Sequence, residues 1–449
     1  MFLSGCVGHT VNEKPRPIVH PLKAFSISND SQAFQSPWWY SFERADLNAL
    51  IDQSLNQNYD VAASVAALKQ ARALSRQTGT QRLPQIDVAG DADKDWEGSD
   101  GQRGSAEIGA ALSWELDIWN RIGASAKADQ YEAAARFEDV EAVKLSLSAD
   151  VANAYFGAIA AQQRINLLTQ QLKLDRDLQG LLQLRLDNGV GTSVDVLRQK
   201  ARVADSKTLI PLAQSDLRVF ENRLDVLLGE MPDAVPRVSQ TETLDFSEDM
   251  PAIGVPSALL LNRPDLRAAL AELVAADADI AAAIADRLPR VTLDGSFVYS
   301  DAASFTGPVS MIMGSFVQPL LDWGRRKAEV ERNKALYEER LAAYTQLFLE
   351  AVEDVESALI REMKQREFLK NLQVQKNILQ QTVDASENRY TQGIDDYLPV
   401  INALQELRNV ERSLITEHLN LLNIRVDLFR AIGGPIHMPS NKGHDDEIL

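Results

Sequence analysis

The sequence predicts an α+β membrane protein built from two duplicated halves, each with one pair of β-strands and one long helical hairpin. Three observations support this fold class. The second half of the chain repeats the first at a nearly constant offset, two segments in each half alternate apolar and polar residues as β-strands do, and long proline-poor stretches carry apolar residues at helical spacing.

The duplication is visible in matched residues about 205 positions apart. Asp60 and Pro84 recur as Asp265 and Pro289, and the register continues through three later pairs, Trp119 and Trp323, Gly189 and Gly393, and Gly229 and Gly433. Because the register survives segments of different secondary structure, we predict two repeats, residues 38–245 and 246–435, related by a pseudo-twofold axis. Residues 436–449 form a polar C-terminal tail.

Composition excludes several classes of function. The chain has 46 basic and 64 acidic residues and a net charge of −18, which disfavours binding to nucleic-acid phosphates. Five histidines and one cysteine predict neither a metal site nor a cofactor, and no nucleophile or acid–base set marks an enzyme. No apolar run approaches the roughly 20 residues of a membrane-spanning helix, so any crossing of a membrane must be made by strands.

The N-terminal region carries the only cysteine of the chain, Cys6, directly after the tripeptide LSG. The tetrapeptide fits the bacterial lipoprotein signal, in which the cysteine becomes the acylated N-terminus after cleavage, and the alternative is an ordinary cysteine. Two residues precede the tetrapeptide, so we expect further signal residues upstream. We predict lipidation of Cys6 and, over residues 1–37, a lipoprotein N-terminus with a polar, proline-containing surface tether.

Each repeat contains one predicted pair of strands. After helices at about 44–56 and 60–81, residues 85–118 hold two alternating segments around a polar turn, and residues 290–319 repeat the pattern. A strand of about ten residues with one apolar face suits a half-buried soluble hairpin or a transmembrane strand, and two matched pairs favour the second. Four strands are too few to close a barrel and open edges are not tolerated in lipid, so several chains must then share one barrel.

A helical hairpin follows each strand pair, at residues 124–229 and 325–432. The outbound stretch 124–187 lacks proline and would reach roughly 95 Å as one helix. Its apolar residues recur at alternating spacings of four and three, the heptad pattern of a coiled coil, in Leu147, Val151, Ala154, Ala158, Ala161, Ile165, Leu168 and Leu172. A soluble coiled-coil scaffold would account for these helices but leaves the strand pairs unexplained.

The order and spacing of several motifs resemble the TolC-type outer-membrane factors, in particular the lipoprotein branch called NodT-type or OprM-like. The motifs are Trp38-Trp39, the Leu-Pro pair before each strand pair, LDIWNR at 116–121 with its echo LDWGR at 321–325, AVEDVE at 351–356 and RYTQG at 389–393. The resemblance covers nearly the whole chain.

The resemblance implies a homotrimer in the cell outer membrane, lipid-anchored, in which each chain gives four transmembrane strands to one 12-stranded barrel. The helices would form a coiled-coil tube of about 100 Å across the periplasm. Such a tube is a passive conduit that exports small molecules such as drugs, with a periplasmic adaptor and an inner-membrane pump as partners. It touches outer-membrane lipid, binds no nucleic acid and is not an enzyme. The alternative is a periplasmic coiled-coil adaptor or scaffold protein.

The turns at the far ends of the helical hairpins are the candidate site for adaptor docking. By the resemblance, the adaptor meets the tips at Asn188-Gly189 and at Gln392-Gly393. Glycine is also the usual residue after a helix C-terminus, so a simple cap explains both glycines equally well.

The resemblance also assigns Asp195 to a ring of charged residues at the periplasmic aperture. At the second tip, Asp395 and Asp396 stand where TolC has arginine and threonine. Three copies of these aspartates would form an acidic mouth whose charges repel one another, so we expect apolar contacts of Tyr397 or Leu398 to close the aperture. Solvated acidic helix ends are the alternative.

Overall fold

The computed structural model describes residues 9–26, 36–95, 103–245, 255–302 and 305–436, so the predicted lipidation site Cys6 lies outside the described residues. The chain divides into two compact units. The strand unit comprises Met1–His20, Ser64–Val140 and Pro264–Phe348, and the helical unit comprises Pro21–Ala63, Glu141–Arg263 and Leu349–Leu449. Each unit takes segments from both predicted repeats, and the division into repeats stays a prediction about the sequence.

The described elements follow the same order in both halves: two helices, two strands, a 67-residue helix and a return helix. They are α1 (Ala45–Gln57), α2 (Tyr59–Thr80), β1 (Gln85–Asp95), β2 (Arg103–Leu116), α3 (Arg121–Asp187), α4 (Ser193–Leu227), α5 (Leu259–Asn262), α6 (Pro264–Ala285), β3 (Arg290–Ala302), β4 (Phe305–Val317), α7 (Arg325–Thr391) and α8 (Leu398–Ala431). No helix among the described residues is both long and apolar enough to cross a membrane.

In the strand unit the four strands form one antiparallel sheet in the order β1-β2-β3-β4. Successive residues of a strand point to opposite faces, and the register brings the apolar positions of β1, β2 and β3 to one face. Strand β4 adds Ile312 and Phe316 to that face and places Met311 and Met313 on the other. One row across the apolar face consists of Ile86, Leu112, Gly295 and Ile312, and the adjacent row on the other face consists of Asp87, Ala111, Ser296 and Met311. Both predicted strand pairs therefore contribute to one apolar face.

In the strand unit, an aspartate side chain caps the start of each long helix. Asp117 accepts two backbone N–H groups at the start of α3, at 2.7 and 3.0 Å, and Asp322 accepts two at the start of α7, at 3.1 and 3.2 Å. The chain enters each helix through a left-handed residue, Asn120 (φ +56°) and Gly324 (φ +86°). The LDIWNR motif and its echo are thus the sequence of one strand-to-helix turn used twice.

Asp286 joins three elements of the strand unit immediately after α6. Its Oδ1 accepts a hydrogen bond from Arg290 of β3 at 2.5 Å, and its Oδ2 accepts one from Arg326 of α7 at 2.9 Å. Burial raises the pKa of Asp286, but the hydrogen bonds and positive charges of the two arginines outweigh burial and hold that pKa below its ordinary value. The carboxylate is therefore kept ionised where the helices adjoin the strands.

In the helical unit, two matched glycines allow close backbone contact. Gly229 follows α4 with φ +78°, and a Cβ there would lie 2.6 Å from the carbonyl oxygen of Gln57 in α1. Gly433 follows α8 with φ +68°, and its Cβ would lie 2.7 Å from the carbonyl of Asn262 in α5. Only glycine fits both the left-handed backbone and the contact, which explains why this pair recurs in the two halves.

The Trp38-Trp39 motif lies in the core of the helical unit. Both indoles are 1% exposed, and the Trp38 ring stacks on Phe429 of α8 with 5.3 Å between ring centroids. Its Nε1 donates to Ser148 Oγ of α3 at 3.2 Å, and its backbone N–H donates to the carbonyl of Pro435 at 3.0 Å. The motif ties the start of the first half to the end of the second.

The heptad seam predicted for α3 is buried along its length, apart from the half-buried Ile165. At Gly157, beside the seam, a Cβ would lie 2.4 Å from the ring of Phe220 on α4. Helix packing of this kind needs small residues at the contact, as the alanines of the seam predicted.

Candidate functional site at the helix tips

Both tips of the helical unit are closed by a glycine with left-handed backbone. Gly189 (φ +74°) follows α3 and Gly393 (φ +71°) follows α7. The next residue donates its backbone N–H to the carbonyl five positions earlier, at 3.0 Å in the first tip and 2.9 Å in the second, which is a Schellman cap. The neighbouring Asn188 and Gln392 are exposed. The cap explains the glycines, and docking of an adaptor stays a prediction.

Asp195 lies in the first turn of α4, where it belongs to a helix cap. The hydroxyl of Thr192 accepts the backbone N–H of Asp195 at 3.1 Å and donates to its Oδ2 at 2.7 Å. An acidic side chain here also interacts favourably with the positive end of the helix dipole. The side chain is half-buried, so it has a structural role whatever it contributes to an aperture.

The two aspartates of the second tip have different surroundings. Asp395 accepts hydrogen bonds from Arg389 of the same chain, from Nε at 2.5 Å and from NH2 at 2.9 Å. This hydrogen bond and the positive charge of Arg389 lower the pKa of Asp395. Asp396 is exposed. Within one chain, Arg389 therefore offsets the charge of Asp395, and the acidic mouth stays a prediction.

Tyr397 is a core residue of the tip, with 1% of its surface exposed. Its ring lies 5.2 Å from that of Tyr390, and its hydroxyl donates to Gln199 Oε1 of α4 at 3.0 Å. The apolar cluster around it also contains Leu182, Val196 and Val400. In this conformation Tyr397 holds the two hairpins of one chain together, and of the two residues expected to close the aperture Leu398 is the exposed one.

A buried polar network extends from Tyr397 between the two hairpins. Asp175 of α3 is its centre and is 1% exposed. Its Oδ1 accepts from Arg408 of α8 at 2.6 Å and from Gln199 at 3.2 Å, and its Oδ2 accepts from Ser206 of α4 at 2.6 Å. Three helices are thus joined by charge-assisted hydrogen bonds away from water.

The sequence interpretation missed this network, although it contained a signal. Continued past Leu172, the heptad spacing places Asp175 at the next seam position, where an apolar residue belongs. A carboxylate at a buried seam position requires a buried partner. The sequence could not show that the partner is Arg408, which lies 233 residues away.

Several large apolar side chains are exposed around the tips. In the first hairpin these are Leu184, Val190, Val194 and Leu197, and in the second they are Ile394 and Leu398. Single exposed apolar residues are common, but six of them beside two turns form a surface suited to a protein partner. In the part of the chain that the structure describes, no three His, Cys, Asp or Glu side chains are grouped to hold a metal ion.

The sheet has one apolar face, and among the described residues its two outer strands each have one unpaired edge. Together with helical hairpins longer than a globular core requires, this is typical of channel-forming outer-membrane proteins with a periplasmic helical part. Comparison with known proteins gives the family. A family profile described as outer membrane efflux protein matches residues 50–230 and 255–434, and the chain belongs to that family.

Individual relatives agree with this assignment over nearly the whole chain. The pyoverdine export outer membrane protein OpmQ of Pseudomonas putida is 29% identical, with 88% of this chain and 87% of OpmQ aligned. Outer membrane protein OprJ of Pseudomonas aeruginosa is 28% identical, with 97% and 94% aligned. The solved structure of the outer-membrane channel OprN superposes with a TM-score of 0.84 at 28% identity, covering 94% of this chain and 98% of OprN.

The family and function predicted from the sequence are confirmed. The protein is an outer-membrane efflux channel with its helical tube in the periplasm, and such channels work with adaptor and inner-membrane pump components. Members of the family are transport conduits, so the protein is not an enzyme.

Proposed function

We propose that three copies of the chain join their sheets into one 12-stranded barrel and their helices into one tube, which acts as a passive conduit. The observation that carries this proposal is the open sheet. In the order β1-β2-β3-β4, the outer edges of β1 and β4 have no partner strand among the described residues. Each unsatisfied backbone group would cost several kcal/mol in lipid, so the β4 edge of one copy should pair with the β1 edge of the next.

The two faces of the sheet suit the inside and the outside of such a barrel. The apolar face carries exposed Ile86, Val88, Ile108, Phe297 and Ile312, which would contact outer-membrane lipid. The opposite face carries acidic and hydroxyl side chains on β1, β2 and β3, with Met311 and Met313 added by β4, and would line a water-filled channel. Four strands alone cannot close, and three copies give the 12 strands expected from the family.

We further propose that the tips are the docking site for the periplasmic adaptor and the place where the conduit closes. The exposed apolar side chains around Gly189 and Gly393 support docking. At the aperture, Asp195 and Asp396 would give the acidic charge and Leu398 the apolar contact between copies. The cargo would be small molecules such as drugs or a compound like pyoverdine, for whose export the relative OpmQ is named.

Cys6 would carry acyl chains that anchor each copy to the outer membrane. The support is the LSGC sequence and the relation to a family with a lipoprotein branch. More than one acyl chain on a cysteine anchors a protein stably by itself. Because the proposed barrel also spans the membrane, the anchor would mainly assist insertion and positioning.

Native mass spectrometry of the detergent-solubilised outer-membrane fraction tests the assembly. We expect a particle of three times the chain mass of 49.7 kDa, with an acyl addition on Cys6 in each chain. The same sample should migrate faster on gels before heating than after it, as compact barrels do. A water-soluble monomer or dimer that is absent from the outer membrane would refute the trimeric conduit and favour the periplasmic scaffold.

Single-channel recordings test the acidic mouth. Replacing Asp195 and Asp396 together by alanine should lower cation selectivity, because six carboxylates leave one aperture. Arg389→Ala is the matched variant, since it releases the charge of Asp395 and should raise cation selectivity. If neither change alters selectivity, the aspartates are solvated helix ends and the mouth is not acidic in function.

A further inference from the structure

The N-terminal segment is held against the strand unit by a small set of defined contacts. We call residues 9–18 the docked tether. The backbone N–H of Ile18 donates to Thr345 Oγ1 of α7 at 3.2 Å, and the Lys127 ammonium of α3 donates to Glu13 at 2.5 Å. The Lys127–Glu13 pair is exposed, and the Ile18–Thr345 hydrogen bond is part-buried. A third, part-buried contact involves Asp277 of α6, whose own side chain is buried.

Asp277 is 5% exposed and receives two hydrogen bonds from the docked tether. His9 Nε2 lies 2.5 Å from Oδ1, and the backbone N–H of Asn12 donates to Oδ2 at 2.6 Å. The His9 tautomer with its proton on Nε2 makes this contact a hydrogen bond to the carboxylate. Burying a carboxylate without hydrogen bonds costs free energy, and the tether supplies hydrogen-bond donors that reduce this cost for Asp277.

The duplication shows that this site is specific to one half of the chain. Helices α2 and α6 are both 22 residues long and occupy equivalent places in the two halves. The residue of α2 that corresponds to Asp277 is Arg72, which is exposed. A buried aspartate has therefore taken a position where the other copy carries a solvated base, and the tether contacts the half that has the aspartate.

The contacts also give the tether a direction along the helices. Thr345 lies 20 residues, or about 30 Å, from the end of α7 that adjoins the strands. Lys127 lies about 9 Å from the corresponding end of α3, and Asp277 about 12 Å from that of α6. Between Ile18 and Glu13 the tether thus runs toward the strands, and the contacts of Asn12 and His9 stay within about 12 Å of the strand-side helix end. Cys6 stands three residues before His9, within about 10 Å of extended chain.

We propose that Asp277 is a docking site for the N-terminal tether and that it fixes the point at which the chain leaves the strand unit for the membrane. The consequence for the anchor rests on the proposed acylation of Cys6 and on the proposed barrel, whereas the docking itself does not. With Asp277 occupied, an acyl chain on Cys6 would emerge beside the strand-side ends of the helices, where the lipid surface is expected.

Hydrogen–deuterium exchange of the docked tether in the purified full-length protein tests the docking site. In Asp277→Asn we expect exchange over residues 9–14 to rise roughly tenfold or more, because hydrogen bonds to a charged acceptor are lost. His9→Ala should raise it in the same direction without altering the helix. The matched control is Asp279→Asn, two residues along α6, which should leave the tether protected.

Two results would overturn the proposal. Exchange of residues 9–14 in Asp277→Asn that equals exchange in Asp279→Asn would show that Asp277 does not hold the tether. If Asp277→Asn also raises exchange in the strands, the substitution has damaged the helix, and the His9→Ala variant is then the test. Unchanged exchange of residues 10–14 in His9→Ala would refute docking. The masses of the acylated chain and of the trimer are measured on the same samples. A missing acyl group or trimer would refute the proposed anchor or assembly, and the exchange experiment would still test the docking of the tether.

Discussion

Replacing Asp175 by asparagine should loosen the tips of the helical unit more than any change of one surface charge. The substitution keeps the size of the side chain and removes its charge. Both carboxylate oxygens of Asp175 accept hydrogen bonds, from Arg408 and from Ser206, each at 2.6 Å. An amide has a single oxygen, so one of these donors must then face an N–H group.

The expected loss of free energy of unfolding follows from the state of Arg408 in the Asp175→Asn variant. Arg408 is 5% exposed, and its guanidinium would remain buried without a counter-ion. Breaking a buried ion pair from one side costs about 3–5 kcal/mol. Since about 1.4 kcal/mol changes an equilibrium constant tenfold, local opening of the tip should become about 100-fold more frequent or more.

Hydrogen–deuterium exchange of α3 and α4 near the tips measures this opening. Asp205→Asn is the control, because Asp205 is exposed on α4 and its loss should change exchange by less than about threefold. The double variant Asp175→Leu with Arg408→Met replaces the pair by apolar side chains and should exchange more slowly than Asp175→Asn alone. Equal exchange in Asp175→Asn and Asp205→Asn would refute the reasoning.

Three further variants test the fold through apparent melting temperature, followed by circular dichroism. Gly229→Ala should lower the melting temperature more than Gly189→Ala. Both substitutions incur the left-handed strain of about 1–2 kcal/mol, but only the first places a Cβ 2.6 Å from a backbone oxygen. Equal decreases in melting temperature would contradict that contact. Trp38→Ala should lower the free energy of unfolding by about 3–5 kcal/mol, whereas Trp323→Ala, at a residue that is 90% exposed, should lower it little. A larger effect of Trp323→Ala would be inconsistent with the burial of Trp38. Asp286 has a lowered pKa, so its stabilising effect is complete above the ordinary aspartate pKa of about 3.9 and is lost as the pH falls through the lowered value. The difference between wild type and Asp286→Asn should thus be equal at pH 7 and pH 5 and shrink below about pH 3.5, and a difference that already shrinks at pH 5 would disprove the pairing.

Local chemistry made the strands and long helices predictable. The alternation around Ala106 and Leu293 is a property of neighbouring residues, and the structure places both on the same face of one sheet. The Asp117 cap needs residues only a few positions away, which is why its echo at Asp322 could be recognised from spacing alone. The predicted heptad seam of α3 is buried for the same reason, since its period is a local property of the helix.

The candidate site was less predictable because its contacts join distant segments. Tyr397 was expected at an aperture, yet it donates to Gln199 in the other hairpin, 198 residues away. Asp395 was counted as a free acid, but the turn at Gly393 brings Arg389 against it. Neither contact has a period or a spacing that a single sequence would show. Asp175 did carry a signal, a carboxylate at a seam position, but not the identity of its partner.

By itself the sequence determined the duplication, the positions of the strands and helices, the glycines of the turns and the family, because periodicity and backbone conformation depend on residues close together in the chain. Only the tertiary structure decided which aspartate is free, which tyrosine is core and which acidic residue receives the tether. Those outcomes depend on burial and on the pairing of charges across hundreds of residues. The free energy of a buried charge is set by the neighbours that the fold brings to it.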